Sequence, residues 1–158
     1  MSFLHAKPLG WASFGARILR GEEELTQLKI TAFRSKGSFQ LDGEEFTIEP
    51  KGFFLSSAVL KKGSSVIARV EKESAFKRRF EISSAGHRFV LASKRWTGRD
   101  YLLLLGKQEV GRVRREGFAG RKLKLEFPDD VPLFIQVLMA YVVLAQAKRE
   151  ASAAASSG

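Results

Sequence analysis

At 158 residues with 44% apolar side chains, the chain is long enough for one domain with a substantial core. It contains no cysteine, which excludes disulfides and thiolate metal sites. A formal charge of +10 points to an anionic partner such as lipid headgroups or nucleic acid, or to solubility alone. Residues 51–124 hold nine Lys and ten Arg against five Glu and one Asp, so the basic character belongs to the central region.

The opening stretch MSFLHAKPLGWASFGARILRG has no unbroken apolar core of a secretory signal, which leaves the cytoplasm as the expected location. Trp11, Phe14 and Ile18 fall at helical spacing, yet a first strand packed by Trp11 and Phe14 fits as well. Residues 1–27 therefore stay unassigned. Glu22 to Glu24 read as a solvated acidic run. From there the period becomes two. Leu28, Ile30 and Ala32 alternate with Lys29 and Thr31. Phe39 and Leu41 precede Asp42-Gly43, a hairpin signal, and Phe46 and Ile48 alternate with acids and Thr47 beyond it. Further strands are expected at 53–60, 65–71, 79–83, 87–93, 101–105, 109–114 and 122–127, joined by short turns. Residues 122–127 put Leu123, Leu125 and Phe127 on one face.

The segment FPDDVPLFIQVLMAYVVLAQAK ends the patterned region. Asp129 and Asp130 are expected to cap a helix that has Pro132 in its first turn. From 131 to 147 only Gln136 and Gln146 interrupt the apolar residues, and a helix apolar all round must be buried. Residues 130–148 would extend ~28 Å, and a bilayer span wants ~20 mostly apolar residues. The longest stretch free of polar side chains is only 137–145. A helix sheathed by its own protein is the favoured reading; a tail anchor is the alternative. Residues 151–158 are low in complexity and expected to be disordered.

Roughly ten strands at 8–12-residue spacing describe an antiparallel sheet that must close to hide its edges. The expected fold is mainly β: a closed antiparallel barrel of about ten to twelve strands around the apolar C-terminal helix, in one domain over residues 1–150.

Segments 66–82, 87–103 and 110–125 each read as strand, charged connector with one aromatic, strand. With the connectors VEKESAFKRRFEI and ASKRWTGRDYLLL and the terminal apolar segment, the chain resembles the Tubby C-terminal-like superfamily. Within it, the likeness is to LURP-one-related proteins and their phospholipid scramblase relatives. The resemblance covers about residues 28–148 and implies a closed barrel of about twelve strands threaded by a hydrophobic C-terminal helix. It also implies phosphoinositide binding through clustered basic residues, although no motif transfers residue by residue.

Candidate chemistry is sparse. His5 and His87 lack any metal-ligand spacing, the serine pairs sit at turns without a nucleophile setting, and no phosphate-cradling glycine loop occurs. No catalytic set, metal or cofactor is expected, and the protein reads as non-enzymatic. The basic connectors stand out. In a meander, alternate turns share one end, so 72–79, 94–99 and 112–122, carrying +3, +3 and +4, should form one rim with Phe76, Trp96 and Phe118. The intervening turns carry +2, +1 and 0. The candidate anion- or lipid-binding residues are Lys77, Arg78, Arg79, Lys94, Arg95, Trp96, Arg99, Arg114, Arg115, Arg121 and Lys122. Their expected partner is an anionic lipid headgroup at a membrane surface, with peripheral attachment. Nucleic acid is the weaker alternative, because aromatics occur once per connector and form no stacking platform.

Overall fold

Alternation makes most of the strands, with residues 18–19 and 58–60 buried in succession where the register shifts. In KLKLEF, Leu123, Leu125 and Phe127 are buried while Lys122 and Lys124 are exposed, and the same inside–outside rhythm repeats around the molecule. The structure is a computed structural model that describes residues 1–10, 13–51, 56–73, 78–94, 99–117 and 120–157. Twelve strands follow one another: β1 (Ser2–Pro8), β2 (Ala16–Arg20), β3 (Glu23–Ile30), β4 (Gly37–Leu41), β5 (Glu44–Lys51) and β6 (Ser57–Lys62). Then come β7 (Ser65–Lys72), β8 (Arg79–Ser84), β9 (His87–Ser93), β10 (Asp100–Leu105), β11 (Gln108–Glu116), β12 (Lys122–Phe127) and one helix, α1 (Leu133–Ser157).

Each strand pairs antiparallel with its sequence neighbours, and β1 pairs with β12 from Ser2↔Phe127 to Ala6↔Leu123. The barrel is therefore a closed meander, which removes the free sheet edges that would recruit other chains. Twelve strands enclose more space than strand side chains fill, and α1 occupies it. Every residue from 135 to 147 is buried, on all sides of the helix. Gly37 on β4 leaves room for the Tyr141 ring, since a Cβ there would stand 3.1 Å from it. The two polar interruptions are satisfied. Gln136 donates to the Val131 carbonyl (2.9 Å) and accepts from Ser2 Oγ (3.2 Å), and Gln146 reaches Glu150. Among the described residues, no helix is long and apolar enough to cross a membrane.

Five of the turns are two residues long and all lie at one end. At Asp42-Gly43 and Ala85-Gly86 both residues have positive φ, the type I′ geometry that matches strand twist. The other three turn at Gly21, Gly63 and Gly106, each beside a register shift in its hairpin. The two kinds alternate, so each kind recurs every 42 or 43 residues. The repeating unit is four strands, present three times, and the helix follows where a final tight turn would fall.

Several expectations change. Residues 1–27 supply β1, β2 and part of β3, and the helical spacing of Trp11, Phe14 and Ile18 does not describe a helix: Ile18 lies in β2 and Phe14 in the preceding connector, while Trp11 falls outside the described residues. The strand expected from residue 53 begins at Ser57 in the structure, with 52–55 outside the described residues. Asp129 does not cap α1. It binds the Met1 ammonium at 3.0 Å, because Pro132, whose carbonyl accepts from Ile135 and Gln136, starts the helix three residues later. Finally, helix replaces the expected disordered tail: α1 continues to Ser157, with 151–156 exposed, since its Ala-rich sequence favours helix once the buried turns nucleate it.

A candidate binding rim at one end of the barrel

The meander puts the strand ends that flank connectors 9–15, 31–36, 52–56, 73–78, 94–99 and 117–121, with the described residues of those connectors, opposite the tight turns. The helix enters at the tight-turn end and leaves through this rim. Among the described residues the connectors hold Arg34, Lys36, Arg78, Lys94, Arg99 and Arg121 against Glu73 alone. The tight turns and the helix entry hold Lys107 against Glu22, Asp42, Asp129 and Asp130. The charge is therefore polarised along the barrel axis.

Of the expected site residues, the structure describes Arg78, Arg79, Lys94, Arg99, Arg114, Arg115, Arg121 and Lys122 at this end and divides them by role. Arg78 and Arg115 turn into the mouth and grip one carboxylate, Glu150 of α1, at 2.7 and 3.2 Å. Arg115, whose side chain is only 10% exposed, also donates to the Gly120 carbonyl at 2.9 Å. Arg79 pairs with Glu73 across its own connector (3.0 Å), and Arg114 pairs with Asp100 on the outer wall (3.3 Å). Arg121 donates to the Ser13 carbonyl (2.7 Å) and lies over the Phe14 ring, tying connector 117–121 to connector 9–15. Lys94, Arg99 and Lys122 are exposed and have no ion pair among the described residues. Lys77, Arg95 and Trp96, with Phe76 and Phe118, lie outside the described residues.

Beneath the Glu150 clasp, Tyr101 is fully buried, and its hydroxyl has no hydrogen-bond partner among the described residues. Burial, reinforced by the Glu150 charge, holds its phenol well above the ordinary range. Lys72 packs on the Phe80 ring and is pulled below the usual lysine value, first by burial and then by Arg149 and Arg78.

Sequence reasoning missed the loop at 31–36. Lys148, near the exit of α1, sends all three ammonium protons into it: to the carbonyls of Thr31 (2.9 Å) and Ala32 (2.7 Å) and to Ser35 Oγ (2.8 Å). Tyr141 adds a bond from its hydroxyl to the Ser35 carbonyl (2.7 Å). The signal that finds this loop is the four-strand unit. Ala32-Phe33-Arg34 stands 43 residues before Ala75-Phe76-Lys77, and Gly117-Phe118 falls at the equivalent connector of the third unit. Each of the six long connectors carries at least one aromatic in its sequence, and none of the five tight turns does.

The described residues contain no cluster of three or more His, Asp or Glu side chains placed to hold a metal ion. A cavity of about 430 Å³ opens on the outer wall where β3 and β4 share only two register pairs. Its lining includes Glu24, Thr26, Gln27, Lys29, Ser38 and Glu45, and the Thr26 hydroxyl there accepts from the Gln40 amide at 3.3 Å. No family model matches the chain, and comparisons with curated proteins and with solved structures gave no match either.

Proposed function

We propose that the protein is a non-enzymatic barrel that binds anionic phospholipid, phosphoinositide headgroups included, by setting its long-connector rim against a membrane surface. The observation that carries this reading is the segregation of cations to one end, where Arg34, Lys36, Arg78, Lys94, Arg99 and Arg121 stand against Glu73 alone among the described residues, with Phe14 and Phe33 beside them. A folding requirement would treat both ends alike, since either could close with two-residue turns. Aromatic rings suit the headgroup layer and cations suit its negative potential, so their mixture on one rim fits that partner. The Tubby-like resemblance remains a proposal with the same content, supported by the closed twelve-strand barrel threaded by its C-terminal helix.

The test is flotation with phosphatidylcholine vesicles, with and without anionic lipid. Lys94, Arg99 and Lys122 are the residues to reverse to Glu, because each is exposed and holds no structural ion pair among the described residues. At about 1 kcal/mol per cation near the surface, losing three should weaken binding by roughly two orders of magnitude. The salt dependence should flatten as well. Reversing Arg20, Arg88 and Lys107 at the other end should have little effect. Equal losses from both sets would reduce the rim to net charge, and preferential binding of nucleic acid in a shift assay would replace the lipid reading.

A further inference from the structure

Resting on that reading, we infer that the loop joining β3 to β4 is the element that enters the bilayer, with Phe33 as its tip and the barrel standing end-on. Phe33 is 78% exposed, more than any other large apolar side chain among the described residues. Its neighbours Arg34 and Ser35 both adopt left-handed backbone (φ 64° and 54°), a conformation that side-chain-bearing residues rarely take singly and more rarely in succession. The fold does not leave this strain to chance. Thr31 Oγ1 donates to the Phe33 carbonyl (2.6 Å) and accepts from the Lys36 amide (2.9 Å), and the Thr31 amide donates to the Lys36 carbonyl (2.9 Å). Lys148 and Tyr141 then fasten the loop to the central helix.

A strained turn held this firmly, which spends its rigidity on presenting a phenyl ring to water, is organised for a partner. Two observations favour a lipid surface over a protein. Arg34 lies over the Phe33 ring (5.4 Å to its centroid) and Lys36 follows, so the apolar tip is collared by cations, as an anionic interface requires. The tip also belongs to a ring of connectors around the barrel axis, with Ala-Phe-cation recurring in sequence one unit later. Contacts spread around a closed rim fit a partner that extends in two dimensions.

The chain has no cysteine, so Phe33→Cys and, at the opposite end, Ser64→Cys each give a single labelling site for an environment-sensitive fluorophore. With phosphatidylserine-containing vesicles the label at 33 should shift to the blue and be quenched by lipids carrying shallow quenchers, while the label at 64 stays unchanged. Phe33→Ala should weaken vesicle binding about tenfold at unchanged melting temperature. Normal vesicle binding with the label at 33 still in water, or equal shifts at 33 and 64, overturns the inference and leaves the rim reading standing. No binding of the unlabelled protein to anionic vesicles at low salt overturns both. A blue shift with single-stranded nucleic acid and none with vesicles overturns the inference in favour of a nucleic-acid contact.

Discussion

At one end of the barrel, hairpins close in two residues drawn from Gly, Asp, Ala, Ser, Glu and Lys, with no aromatic and no excess of cations. At the other, the same strands are joined by five to seven residues rich in Phe, Trp, Arg and Lys. The first end is dictated by backbone geometry: positive φ at Asp42-Gly43 and Ala85-Gly86 leaves little choice of residue. The second end exceeds what strand pairing alone requires. Longer loops cost little, about 0.6 kcal/mol per doubling, but nothing in strand pairing asks for aromatic rings in them. On the proposed reading, this excess of aromatic and cationic side chains over geometric need is what marks the long-connector end for a partner.

The comparison breaks most completely if the helix that ties the two ends together is lost. Leu138→Asp would place an unpaired charge at a fully buried position, costing several kcal/mol out of the ~5–15 kcal/mol that holds a domain. Cooperative unfolding in calorimetry should disappear, and both ends with it.

Alkali acts on the same core from within. The chain has two tyrosines, Tyr101 and Tyr141, and burial raises both phenols above their usual 10.0. A raised folded value means the stabilisation is complete below the unfolded pKa and is lost as pH climbs from there toward the folded value. Each pH unit above about 10 should therefore cost roughly 1.4 kcal/mol per phenol. Tyrosinate absorbance should appear together with loss of β-sheet circular dichroism, not before it.

The two ends separate at the next level. Gly43→Val forces a β-branched side chain into left-handed backbone at φ 76°, worth about 1–2 kcal/mol, or roughly 2–8 °C in melting temperature. Vesicle binding should not change. Phe33→Ala should do the reverse, so together they form a double dissociation read by calorimetry and flotation.

The smallest effect sharpens the account of the rim itself. Glu150→Gln removes the negative charge held by Arg78 and Arg115 but keeps an amide oxygen that can accept from one of them, so stability should fall by about 1 kcal/mol. It also adds one unit of positive charge to the rim, so binding to anionic vesicles should strengthen several-fold as stability falls slightly.

The strands from Phe39 to Phe127 were legible because their inward residues are large and their outward residues charged. The buried helix was legible because it has no wet face. The first two strands were not. β1 buries Leu4 and Ala6 but exposes Phe3, and β2 carries a register shift between Ile18 and Leu19 that breaks the alternation. Closure depends on β1 meeting β12 across nearly the whole chain, which no local pattern announces. At the rim, the shared end of connectors 72–79, 94–99 and 112–122 followed from the meander alone. The neutralising Glu150 did not, because its place depends on where the helix leaves the barrel. Phe33 was hidden by an apparent period near 20 residues, which is half the true four-strand unit.

Because Met1 is clasped by Asp129 at the tight-turn end while α1 leaves through the connectors, the two termini point in opposite directions along the barrel axis. The fold therefore has a polarity that cargo can report. A reporter domain joined ahead of Met1 would ride roughly 20 Å above whatever the rim contacts, the height of strands of about six residues. The same domain joined after Ser157 would be wedged between barrel and surface. One fusion should leave membrane attachment intact and the other should abolish it, so the attached face can be identified with no substitution in the barrel at all.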